Sequence, residues 1–140
     1  MCGLTGEQQN YLEDQTAQLV QNIQPLVNSI RNATGSRTAS QNEINSYISN
    51  IAETVNAISI RTATAVNALG NKALAKHAPP VVQVLEECKE QLVRLGNDGE
   101  RTRMPPVAFK IARATKELVL RVDRIETGEL REDQKLSLDL

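Results

Sequence analysis

Apolar and small residues recur along the first 33 positions at 12, 16, 19, 23, 26, 30 and 33, a spacing of 4-3-4-3-4-3 carried by Leu12, Thr16, Leu19, Ile23, Leu26, Ile30 and Ala33. Residues three and four apart share one face of a helix, so the spacing predicts an amphipathic helix. TGEQ at 5–8 reads as its capping box, with Thr5 as N-cap, and Gly35 as its end. Pro25 falls off the stripe and should interrupt or kink the helix while keeping its ring out of the core. The same rhythm returns at Ile44, Ile48, Ile51, Val55, Ile58, Thr62, Ala65 and Leu69, after a second capping box, SQNE at 40–43, and before Gly70. The outer positions of this second helix are Asn, Ser and Thr, which are mediocre helix formers, so packing must hold it.

A third stripe, Val81, Leu85, Cys88, Leu92 and Leu95, starts at the Pro79-Pro80 pair and predicts a helix ending at Gly96. The preceding NKALAKHA, 71–78, reads equally as a helical extension or a linker. A fourth helix is predicted from Pro105-Pro106 to just before Gly128, with the stripe Ala108, Ile111, Thr115, Leu118, Val122 and Ile125. No stretch alternates between apolar and polar positions as a strand would. Four long helices, each with one stripe and short connections, predict an all-α chain folded as an antiparallel up-down four-helix bundle. The organisation expected is a leader and helix cap over 1–10, the bundle over 11–127, and a polar, mobile tail over 128–140.

At 140 residues the chain can bury enough surface for one domain without staples. Sixteen Lys+Arg against seventeen Asp+Glu give a net charge of −1, so no global field attracts nucleic acid. Aromatics make up 2% with no Trp, so stacking platforms for bases are absent. No apolar run is long enough for a transmembrane segment, and the first residues lack the features of a signal peptide. Cys2 and Cys88 form no framework and read as free thiols in a reducing, cytoplasmic setting.

Catalytic chemistry finds little support. His77 is the lone histidine and is followed by Ala-Pro-Pro, which matches no phosphotransfer pattern and reads as an exposed histidine at a helix junction; a phosphotransfer bundle using His77 is the remote alternative. Cys88 lies on a stripe and reads as a small core hydrophobe. Adjacent carboxylates at 13–14, 86–87 and 132–133 lie off the stripes and read as solvated. GNDGER at 96–101 is a turn without the Lys-Ser/Thr of a phosphate loop. No enzyme, cofactor or metal is expected.

The fourth helix carries more than a core stripe. On a wheel at about 100° per residue with Ala108 at zero, its stripe occupies roughly 260° to 360°, while Lys116, Phe109, Leu120, Arg113 and Arg124 fall between about 80° and 160°. Two large apolar side chains three turns apart, with three cations between and beside them, suit an acidic amphipathic partner helix. From 101 to 124 there are seven basic residues (101, 103, 110, 113, 116, 121 and 124) against two acidic ones, 117 and 123, a local excess of +5. Val20 and Val27, beside the first stripe, and Arg31 would line the other wall if the first and fourth helices are neighbours. The competing reading is that Phe109 tucks under the 96–104 loop and that Leu120 is one tolerated exposed leucine.

Two stretches carry a resemblance. YLEDQTAQLVQNIQPLVNSIR at 11–31 and PPVAFKIARATKELVLRVDRIE at 105–126 resemble the two ends of the C-terminal domain of the fungal Spa-type polarisome scaffold. More distantly, the layout is similar to the paxillin-binding, focal-adhesion-targeting-like domain of the GIT family of scaffolds. The likeness covers about 11 to 126 and is carried by pattern alone across 36 to 104. It implies a non-enzymatic scaffold at the cell cortex at sites of polarised growth, the bud or hyphal tip, with polarity and actin-assembly factors among its partners. It also implies that an acidic leucine-rich helix docks between the first and fourth helices, onto Arg113, Lys116, Leu120 and Arg124 with Val20, Val27 and Arg31. Self-association through the same outer strip, as a homo- or hetero-oligomerisation domain, is the alternative.

Overall fold

A computed structural model describes residues 6–31, 41–131 and 133–134. Five α-helices account for nearly all of them: α1 (Gly6–Arg31), α2 (Gln41–Leu69), α3 (Lys72–His77), α4 (Pro79–Asp98) and α5 (Met104–Glu126), with a 3₁₀ turn at Arg101–Arg103. No strand occurs among the described residues. The chain is all-α. The expected N-caps Thr5 and Ser40 and the stop at Gly35 lie outside the described residues.

The four predicted stripes are the core. Leu19, Leu26, Ile44, Ile51, Ile58, Leu85, Leu92, Ile111 and Leu118 are fully or almost fully withdrawn from water, and with their neighbours form one apolar cluster without a buried aromatic ring. α1 packs against α2 and α5, and α4 packs against the same two helices, so each long helix has two neighbours. Near the start of α1, Tyr11 meets Arg61 near the end of α2, the guanidinium 4.8 Å from the ring centroid. Further along, Asn50 of α2 donates to Asn22 of α1 at 3.2 Å, so this pair of helices runs in opposite senses.

Threonines on the stripes are tolerated because their hydroxyls turn back onto their own helix. Thr16, Thr54 and Thr115 donate to the carbonyls of Leu12, Asn50 and Ile111 at 2.7, 2.9 and 2.8 Å. Thr115, wholly buried, therefore carries no unsatisfied donor. α1 continues unbroken through Pro25, which is half-buried rather than set outside the core.

A polar stitch crosses from α2 to α4. Glu86 accepts from Ser59 at 2.6 Å and from Lys89 at 2.6 Å, and Lys89 also donates to Asn56 at 2.7 Å. Burial pushes the Glu86 carboxyl up, but the hydrogen bonds from Lys89 and Ser59 and the Lys89 charge outweigh it, so the group titrates below its ordinary value.

Four expectations need correction. The stretch 71–78 is neither one long extension nor a linker: Asn71 caps a short helix, its side chain accepting from the Leu74 amide at 3.1 Å, and Pro79 and Pro80 then open α4. Gly96 is not a stop. It is buried inside α4, and a Cβ there would stand 2.5 Å from Ile48 Cδ1, so glycine lets α4 approach α2. The stop is Gly99, with φ of 72°, whose amide and that of Glu100 bond back to Gly96 and Leu95. α5 begins at Met104, one residue ahead of the proline pair, because the 3₁₀ turn delivers Met104 into the core.

The fourth correction concerns the C-terminal segment. At Gly128, with φ of 82°, the chain reverses, and the Leu130 amide bonds to the Arg124 carbonyl at 3.0 Å. Leu130 is buried in the core cluster. His77, expected on the surface, is 3% exposed and donates from Nε2 to the Arg131 carbonyl at 2.8 Å. Arg121 of α5, also buried, donates to the His77 carbonyl at 2.8 Å and pairs with Glu117 at 2.9 Å. The segment read as a tail from 128 thus belongs to the fold at least through Arg131; residues 135–140 lie outside the described residues.

Two measurements check this packing. Gly99→Ala places a Cβ in the left-handed region and should lower stability by about 1 kcal/mol in denaturant titration. Glu86 binds its proton more weakly folded than unfolded. Its contribution is therefore complete above its ordinary value of 4.5 and is lost as pH falls through the lower folded value. Urea denaturation at a series of acid pH values should show a shallower loss for Glu86→Gln than for the native chain.

Candidate partner-binding face of α5

The burial of α5 divides cleanly by angle. Val107, Ala108, Ile111, Ala114, Thr115, Leu118, Arg121, Val122 and Ile125 are buried, and Phe109, Arg113, Lys116, Leu120 and Arg124 are exposed. The five strip residues therefore share one outward face, as their spacing predicts. Leu120 is 49% exposed in mid-helix, where no cap or loop reaches it. Phe109 keeps 37% of its surface. None of Arg113, Lys116 and Arg124 enters an ion pair among the described residues.

α1 and α5 pack side by side. Between them runs an open groove of about 410 Å³, lined by Glu13 and Thr16 on one wall and by Lys116, Val119 and Leu120 on the other. Val20, one turn beyond Thr16 on the same side of α1, is 39% exposed and extends that wall. Its lining is largely aliphatic, with one carboxylate and one ammonium group placed where they can meet charges on an incoming helix.

The structure assigns one expected wall residue differently. Val27 is 4% exposed and belongs to the core cluster, because its position on α1 turns it inward beside Leu26 rather than to the rim. The Arg31 side chain lies outside the described residues. The charge picture also changes. Arg121 is neutralised in the interior by Glu117, so it contributes nothing to the outer field. Asp123 is exposed about 20° from Lys116 on the wheel, so three cations less one carboxylate leave +2 on the strip rather than +3.

Stripe reading left out Glu13 and Val119, placed Thr16 on the core stripe, and counted Asp123 only in the local charge balance. Thr16 and Val119 lie at the stripe margin, where burial depends on the neighbour's position. Glu13 follows a stripe residue, but only the pairing of α1 with α5 turns it into a groove wall. A second groove of about 320 Å³ runs between α2 and α4 past Ser59, Ala63, Val66 and Val82. It lies beside the Ser59–Glu86–Lys89 stitch, which ties its two walls together.

Among the described residues no group of His, Cys, Asp and Glu side chains is placed to hold a metal. Cys88 is a buried free thiol on the α4 stripe, pushed up by burial against the opposing charges of Lys110 and Arg113. Cys2 lies outside the described residues. No described helix is long and apolar enough to cross a membrane.

The two faces of α5 should separate in mutants. Leu118→Ala, at a fully buried position, should cost about 2–5 kcal/mol. Leu120→Asp, two residues on, should change stability by only about 0.5 kcal/mol. Thermal and urea denaturation of the two variants tests the division directly.

The comparisons with known proteins agree with this architecture. The profile of the family described as G protein-coupled receptor kinase-interacting protein 1 C term matches residues 9–123, the span from early α1 through most of α5. Protein SPA2 of Saccharomyces cerevisiae (strain ATCC 204508 / S288c) is 31% identical over 131 residues, covering 81% of this chain and 9% of that protein. The chain thus spans under a tenth of the length of the curated relative that it matches. No solved structure matches it. With the matched span running from early α1 through most of α5 and a relative 31% identical over most of this chain, the chain belongs to the G protein-coupled receptor kinase-interacting protein 1 C-terminal family.

Proposed function

We propose that the chain is a non-enzymatic scaffold module, an antiparallel up-down four-helix bundle that takes a partner helix in the groove between α1 and α5. The observation that carries this reading is Leu120, half-exposed in mid-helix at the edge of an open aliphatic groove. A soluble helix has no packing reason to place leucine there, and the groove supplies the apolar surroundings that a second leucine could share. Phe109 extends the strip along α5, Val20 extends the α1 wall, and Arg113, Lys116 and Arg124 provide charges for a mainly acidic partner. Glu13 and Asp123 make the complement mixed in sign, so a partner with acidic residues along one edge and a basic residue near the C-terminal end of α5 fits best. In the cell the fitting role is that of a protein-binding scaffold at the cortex, at bud or hyphal tips, where polarity and actin-assembly factors gather.

The second reading is an oligomerisation domain that uses the same strip, and the same experiment separates the two. Phosphotransfer through His77 is disfavoured, because the imidazole is buried and its Nε2 is engaged by the Arg131 carbonyl.

A synthetic acidic helix with leucines at successive turns serves as the probe in fluorescence anisotropy. It should bind the native chain with an affinity that falls as salt rises, since the strip charges are exposed. Leu120→Asp and Lys116→Glu should each weaken binding by about tenfold or more, the scale of a 1.4 kcal/mol loss, and Lys89→Glu on α4 should not. Unchanged binding in Leu120→Asp would sink the groove reading. A concentration-dependent dimer that Leu120→Asp abolishes, seen by light scattering, would select the oligomerisation reading instead.

A further inference from the structure

Outside the α5 strip, His77 is a buried titratable group for which the proposed binding role has no use. His77 ends α3, is 3% exposed, and lies under the segment that follows α5. That segment leaves the helix through the Thr127 and Gly128 amides, which bond to the Asp123 and Ile125 carbonyls, and turns at Gly128 with φ of 82°. It then returns Leu130 into the core and sets the Arg131 carbonyl on His77 Nε2 at 2.8 Å.

What holds this segment down is limited in kind. Among the described residues, one leucine side chain enters the core, the Thr127, Gly128 and Leu130 amides and the Thr127 hydroxyl donate back to α5 carbonyls, and one imidazole bond reaches Arg131. Its charged side chains do not contribute an anchor: Arg131 faces Asp133 within the same segment at 3.8 Å, with both side chains more than 70% exposed. The floor beneath it is built differently. Arg121 binds the His77 carbonyl and Glu117, so α3 stays joined to α5 through His77's backbone while only the imidazole depends on the covering segment.

We propose that Thr127–Arg131 is a releasable strap, hinged at Gly128, and that lifting it turns the His77 imidazole from a buried latch into an accessible, reactive surface group while the helices stay packed. Leu130 is the strap's apolar anchor and His77 Nε2 its polar one. The few contacts confined to the strap place its opening at the low end of local unfolding, separate from the transition of the four long helices. Removing the Leu130 anchor shifts that local equilibrium without touching the α1, α2, α4 and α5 stripes. The resulting device is an exposure switch at the α3 end of the domain, driven by whatever captures the freed segment.

Diethyl pyrocarbonate, which acylates accessible imidazole nitrogens, reads the switch, because His77 is the only histidine in the chain. On the native chain, acylation should be slow and its rate insensitive to dilute urea, since a local opening exposes little new surface. Leu130→Ala should raise the rate by about tenfold or more, the scale of a buried leucine truncation, with the helical circular dichroism unchanged. Gly128→Ala strains the hinge and should raise the rate in the same direction; this variant decides the matter if Leu130→Ala loses helicity. A native rate that climbs steeply with urea, as global unfolding does, would overturn the proposal. So would an unchanged rate in a folded Leu130→Ala chain, or in Gly128→Ala.

Discussion

Leu19, Ile51, Leu85 and Leu118, one from each long helix, lose essentially all contact with water, and the aliphatic seam that they share is the constraint on which the other features depend. The seam contains no aromatic ring among its buried members, so it is filled by branched chains of similar size that interdigitate at close helix spacing. Gly96 marks how close that spacing is: it gives way to Ile48 where α4 crosses α2. Helices with Asn-, Ser- and Thr-rich outer faces can be stable only while this seam is dry, because their intrinsic propensity is weak.

Polar groups enter the interior only where the backbone or a partner satisfies them. The stripe threonines return their hydroxyls to their own helix. Arg121 is held between Glu117 and the His77 carbonyl, which explains how a guanidinium can sit on the inner side of α5. These arrangements divide the two edges of the structure. The α2–α4 edge is tied by Ser59, Glu86, Lys89 and Asn56, whereas the α1–α5 edge leaves an open groove.

The family profile stops at residue 123, yet the packed unit does not. Ile125 and Leu130 lie in the core, and Arg131 engages His77. Helix α3 and the returning segment therefore form one end of the domain, distant along α5 from Phe109 near its start. The outward strip of α5 and the surface beneath the returning segment occupy different sides of the same helix, and Leu120 and Arg121 show the division in adjacent residues: one half-exposed, the other buried.

Amphipathic periodicity by itself determined the number of the long helices, most of their inner faces, and the outward grouping of Phe109, Arg113, Lys116, Leu120 and Arg124. Spacing along one chain fixes angle on one helix, and nothing more is needed for those properties. Tertiary structure decided everything that depends on what lies across from a helix. Gly96 reads as a stop until Ile48 is seen against it, and Val27 reads as a rim residue until its side of α1 proves to be core. Arg121 reads as surface charge until Glu117 and His77 enclose it, and Glu13 gains meaning only opposite Lys116 and Leu120. His77 is separated from Leu130 and Arg131 by more than fifty positions and shares no periodicity with them. Hydrogen bonding and burial between such distant residues arise from chain reversal at Gly128 and leave no trace in local pattern, so only the folded chain could bring them together.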